Sequence, residues 1–171
     1  MKNKVLIMDT SILCCWLNVP GKETCGRNDD QWDKARVEAL VKGETENGAI
    51  IVLPLATIIE TGNHISQAPK NRYQCASKLG EIINLAVDEQ SPWAAFSEQS
   101  NLWTSIELKR LAVEWPKKAA EQLSLGDITI IAIAEFYAKI GKYVVEIVTA
   151  DEGLKAYQPA IQIQKPRRRM H

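Results

Sequence analysis

Apolar residues along this chain fall into short unbroken runs separated by longer stretches in which they recur every three or four positions. The run Val5-Leu6-Ile7-Met8 is too short for a helix and predicts a buried strand over 4–8; "AIIVLP" at 49–54 predicts a second, closed by a proline that cannot extend a ladder. Between them, "NDDQWDKARVEALV" at 28–41 puts Trp32, Ala35, Val37, Leu40 and Val41 on one stripe, which predicts a crossover helix. "PLATIIETGNHIS" is helical with its proline in the first turn, and 70–88 is a second long helical pattern. "SPWAAFSE" at 91–98 reads as a short strand, while "SNLWTSIELKRLAVEW" and "PKKAAEQL" are amphipathic. "GDITIIAIAEFYAK" predicts an almost wholly apolar helix, "YVVEIVTAD" a β-branched strand, and "AIQIQ" at 160–164 a last strand. Strands alternating with helices predict an α/β fold with a parallel sheet covered on both faces.

The 171 residues suit one domain, taken here as 1–164 with a basic tail at 165–171. Hydrophobic residues at 46% and charged residues at 25% are ordinary for a packed globular chain. Lys plus Arg and Asp plus Glu both count 21, so no global charge draws the molecule to a polyanion, and any nucleic-acid contact must be local. Asp9 interrupts the first apolar stretch too early for a signal peptide or a membrane span, which predicts a cytoplasmic protein with no membrane partner. Cys14, Cys15, Cys25 and Cys75 lack metal-binding spacing, and only His64 and His171 are available as imidazoles, so the cysteines are expected as free thiols.

Four carboxylates share a type of position. Asp9 and Asp151 each follow an apolar strand, which in a parallel sheet places both along its carboxyl edge, where open-sheet sites lie. Asp127 opens the most apolar helix, and Glu60 lies on the helix after the second strand with Thr57, Asn63 and His64 on its side. Each has a plainer reading. Asp9-Thr10-Ser11 is a sequence of helix N-cap residues; Ser124 and Asp127 have capping-box spacing; Asp151 suits a turn; Glu60 suits a solvated face. His64 fits a hydrogen-bonded structural role as well as contact with phosphate or proton transfer. A loop over 18–30, rich in turn formers, follows the first strand and helix and is placed to overhang a site. Convergent carboxylates repel one another unless a cation shares the space, and a set poor in histidine and cysteine suits Mg²⁺ or Mn²⁺ and phosphate chemistry.

In that order, "VLIMDTSIL", "LPLATIIE", "LSLGDITIIAIAEFYA" and "IVTADEGL" resemble the four signature blocks of the PIN-domain nucleases, among them the VapC-type toxins of toxin–antitoxin pairs. The resemblance runs from residue 4 to about 164 and implies a three-layer α/β/α fold with a central parallel sheet of about five strands. It implies an acidic metal site of Asp9, Glu60, Asp127 and Asp151, with Thr149 and the hydroxyls of Thr10 or Ser11 beside it. The implied activity is a Mg²⁺- or Mn²⁺-dependent endoribonuclease, with RNA as substrate, an antitoxin as partner if the chain is a toxin, and a homodimer as assembly. Trp93, Trp103 and Trp115 are interface candidates that suit a core equally well. The chain is longer than a compact VapC-type toxin around 18–47 and 88–120.

Three other readings stand beside it: a catalytically silent PIN-like RNA-binding module, a structure-specific DNA nuclease, and a haloacid-dehalogenase phosphohydrolase. The last also places an Asp after its first strand but needs a second two residues on, where this chain has Ser11. Lys165, Arg167, Arg168 and Arg169 suit RNA phosphates or a solvated tail alike.

Overall fold

The computed structural model describes residues 3–94 and 96–159, apart from the side chains of 96–99. β1 (Asn3–Met8) leads directly into α1 (Thr10–Leu17), and a hairpin of β2 (Thr24–Cys25) and β3 (Trp32–Asp33) precedes α2 (Lys34–Glu46). Then come β4 (Ile50–Val52), α3 (Leu55–Gln67), α4 (Arg72–Val87), a 3-10 helix (Phe96–Trp103), α5 (Ser105–Ala120), α6 (Leu125–Ile140), β5 (Tyr143–Val148) and α7 (Glu152–Lys155).

The central sheet has the order β4-β1-β5 and is parallel throughout, with Ile7 opposite Val52 on one side and Met8 opposite Val148 on the other. Because side chains alternate across a strand, β1 divides its residues between two cores. Leu6 and Met8 pack with Ile12, Leu13, Val37, Ile65 and Leu79 of α1 to α4, whereas Val5 and Ile7 pack with Ile130, Ile133, Ala134 and Tyr137 of α6. Every residue from Val5 to Met8 is fully buried, as expected for a strand covered on both faces. This is a helix–sheet–helix layering. The described residues supply three parallel strands of the five expected; the proposed strand at 160–164 and the basic tail lie outside them.

Three expectations need correction. The crossover helix begins at Lys34 and not near 28, because Trp32 is drawn into a strand pair with Cys25, and Asp33 then caps the helix by accepting the Arg36 N–H at 2.8 Å. Of the expected stripe, Trp32 and Val37 are buried but Ala35 is exposed. The segment 91–98 is not a strand: Trp93 makes one parallel bridge with Ile51, and the chain turns into the 3-10 helix. Trp93 is stacked on Trp16 with ring centroids 5.9 Å apart and is buried, so it belongs to the core, whereas Trp115 is 38% exposed on α5. The two amphipathic segments around Pro116 form one helix, α5, which runs through the proline and buries only Leu111.

Among the described residues no helix is long and apolar enough to cross a membrane.

Candidate active site

Parallel pairing brings the carboxyl ends of β1 and β5 side by side, and the Asp9 N–H continues the ladder by donating to Val148 O at 3.1 Å. The chain leaves β1 straight into α1, so the Asp9 side chain sits over the sheet edge, only 7% exposed. Its carboxylate is held by three donors: Thr10 N–H to Oδ1 at 2.6 Å, and the Ser11 and Thr149 hydroxyls to Oδ2 at 2.8 and 2.7 Å. Burial nevertheless pushes its pKa above the ordinary carboxylate value; the three hydrogen bonds pull the other way, and the Asp127 charge adds to the rise.

The other three carboxylates face the same space. Asp9, Glu60, Asp127 and Asp151 line one open pocket of about 480 Å³, together with Thr10, Ser11 and His64. Glu60 reaches it from α3, where Oε2 accepts the Thr10 hydroxyl at 2.8 Å. α3 is set against the end of β1 by buried Thr57, whose hydroxyl donates to Met8 O at 2.9 Å. Asp127 is the third residue of α6 and forms a reciprocal capping box with Ser124: Oδ2 accepts the Ser124 N–H at 2.8 Å, while Ser124 Oγ accepts the Asp127 N–H at 3.0 Å. Asp151 caps α7 by accepting the Leu154 N–H at 3.1 Å. The plainer capping reading of Asp127 is therefore real, and Asp151, expected in a turn, caps a short helix instead; both acids line the pocket as well. A cap uses one carboxylate oxygen and leaves the other open to the space in front.

Thr149 is buried and joins the two strand ends, donating to Asp9 while accepting the Asp151 N–H at 3.0 Å. Asn63 is exposed and is not among the lining residues: one turn on from Glu60, its carbonyl accepts the Ser66 hydroxyl, and its position on α3 turns to solvent.

The loop after α1 does overhang the site, and it supplies lining residues that spacing did not single out: Gly21, Lys22, Thr24, Cys25 and Gly26. Lys22 is the one lysine or arginine among the described lining residues. The signal was the turn-rich composition of 18–30, which marks a loop without saying which side chain turns inward.

The donor set meets the chemistry of a hard divalent cation: the lining carboxylates and hydroxyls are oxygen donors, and one lysine does not balance four acids. As placed, no group of three His, Cys, Asp or Glu among the described residues stands ready to hold a metal ion. Mg²⁺ is usually taken by one or two carboxylates and otherwise by water and phosphate, which this lining of separate acids can supply in part. No protein-family description, no curated protein and no solved structure matches this chain.

Proposed function

We propose that this protein is a Mg²⁺- or Mn²⁺-dependent endoribonuclease of the PIN-domain type. The reading rests on one observation: a buried Asp9 carboxylate at the sheet edge shares an open pocket with three further acids carried by three different helices or their caps. Asp9 and Asp127 would hold the ion, with Glu60 and Asp151 completing or adjusting the site. When bound, such an ion supplies the positive charge that activates water and stabilises the departing oxygen of a phosphodiester. The chain's own residues do the preparation. Ser11, Thr149 and the Thr10 N–H orient Asp9 and favour its ionised form, Thr10 orients Glu60, and Lys22 and His64 line the wall where substrate phosphate would enter. The finer parts of the reading go with it: the remaining strands of a five-stranded sheet, a homodimer, cytoplasmic residence and, if the chain is a toxin, an antitoxin partner.

The test is cleavage of single-stranded and structured RNA by the purified protein with Mg²⁺, Mn²⁺ or EDTA, alongside Asp9→Asn. Metal-dependent cleavage lost in the variant supports the proposal. Cleavage of DNA alone, or RNA binding without any cleavage, replaces it with the DNA nuclease or the silent module; cleavage undiminished by EDTA refutes the metal role.

A further inference from the structure

Cys15 and Cys25 lie on different elements, α1 and β2, yet their sulfurs are 3.3 Å apart, with the Cys15 thiol donating to Cys25 Sγ. The two sites differ in access. Cys15 is fully buried, whereas Cys25 is partly exposed and lines the acidic pocket. The hairpin holding Cys25 is anchored on its far side by Asp30, which pairs with Lys155 at 2.8 Å and Arg36 at 2.7 Å.

The geometry points to a two-thiol oxidation site in which Cys25 reacts with a peroxide-class oxidant and Cys15 resolves the product to an intramolecular disulfide. The Cys25 thiolate attacks one peroxide oxygen, the O–O bond breaks, and hydroxide leaves, giving a sulfenic acid. The Cys15 sulfur then displaces the sulfenic hydroxyl, which departs with the Cys15 proton as water; two thiols are oxidised by two electrons and the peroxide is reduced to water. The sulfurs have to close from 3.3 Å to the bonded distance of about 2.05 Å. The hydrogen bond from Cys15 holds the Cys25 pKa below the usual thiol value and raises that of Cys15, which matches the roles of attacking and resolving sulfur. Cys14, beside Cys15 in sequence, is pushed up to about 11 by burial and remains a thiol. Oxidation fastens the rim of the acidic pocket to α1.

The test treats the full chain with dilute hydrogen peroxide and reads the intact mass and the non-reducing tryptic map. The expected result is a mass loss of two hydrogens, two of the four thiols protected, and a link between peptides 5–22 and 23–27 that dithiothreitol reverses. Because 5–22 holds both Cys14 and Cys15, Cys14→Ser must keep the link and Cys15→Ser must lose it. Should the buried Cys15→Ser fail to fold, Cys25→Ser carries the same test from the hairpin. Accumulation of sulfinic acid at Cys25 without a link, or a link lost in Cys14→Ser, overturns the proposal. None of these readouts depends on nuclease activity.

Discussion

Glu60 occupies the space that a side chain at Gly126 would fill: a Cβ added there would run into Glu60 Oε1, with Glu60 Cδ 3.1 Å away. The carboxylate of α3 therefore rests directly on the first turn of α6, beside Asp127. The neighbour is the far end of a flexible side chain, so the clash is relieved by swinging Glu60 away, and the loss falls on its position more than on the fold.

Gly126→Ala should accordingly break the Thr10–Glu60 hydrogen bond, costing about 1 kcal/mol, while alanine returns about 0.5–1 kcal/mol of helix propensity. Net stability is expected to stay within about 1 kcal/mol of wild type. In a Glu60→Ala background the same change should stabilise by the propensity gain alone. Urea titration of the four proteins measures the coupling, and additive behaviour would show that Glu60 does not rest on Gly126.

Asp9→Asn is expected to abolish metal-dependent cleavage. In metal-free buffer it should raise stability at neutral pH. The folded pKa of Asp9 lies above its ordinary value of 3.8, so its contribution to stability is fully present below that value and is lost as pH rises through the folded pKa. Asparagine escapes this loss, and the Ser11 and Thr149 hydroxyls can turn to accept from its amide. Thermal unfolding from pH 3.5 to 7.5 should show the variant's advantage growing with pH; a constant difference would contradict the linkage.

Thr149→Val keeps the shape but removes the donor to Asp9 and the acceptor for the Asp151 N–H. A loss of about 1–3 kcal/mol is expected at neutral pH. The penalty should shrink towards low pH, since without that donor the Asp9 pKa rises further and protonation relieves the variant more than the wild type. Cleavage should fall about 10- to 100-fold through misplacement of Asp9, with Thr149→Ser restoring most of it.

Pro116→Ala tests the one proline inside a helix interior among the described residues. Pro116 is exposed on α5, lacks the N–H that would reach back one turn, and has little core contact around it to compensate. A gain of about 1–2 kcal/mol is expected after allowing for the freer unfolded chain, and cleavage should not change. Destabilisation would mean that the ring packs against something the helix needs.

The runs at 4–8 and 143–148 were legible because strands buried on both faces carry unbroken apolar sequence, and the acids after them were legible because parallel strands end on one edge. That Asp127 belongs to a capping box could also be read, since its partner Ser124 lies three residues away, whereas Asp151 reads as a turn and is in fact the cap of α7. Local spacing could not place Trp32, whose partner Cys25 lies seven residues earlier across a turn; that pairing delayed α2 to Lys34. Nor could it show that Trp93 belongs to the core, that Asn63 turns outward while His64 lines the pocket, or that Lys22 comes with it. The alternation of elements and the polar residues at their ends are local properties, since they follow from periodicity and backbone hydrogen bonding within a few residues. That Thr149 clasps Asp9, that Glu60 rests on Gly126 and that two thiols ten residues apart meet are long-range outcomes, set by how whole elements pack once the core is buried.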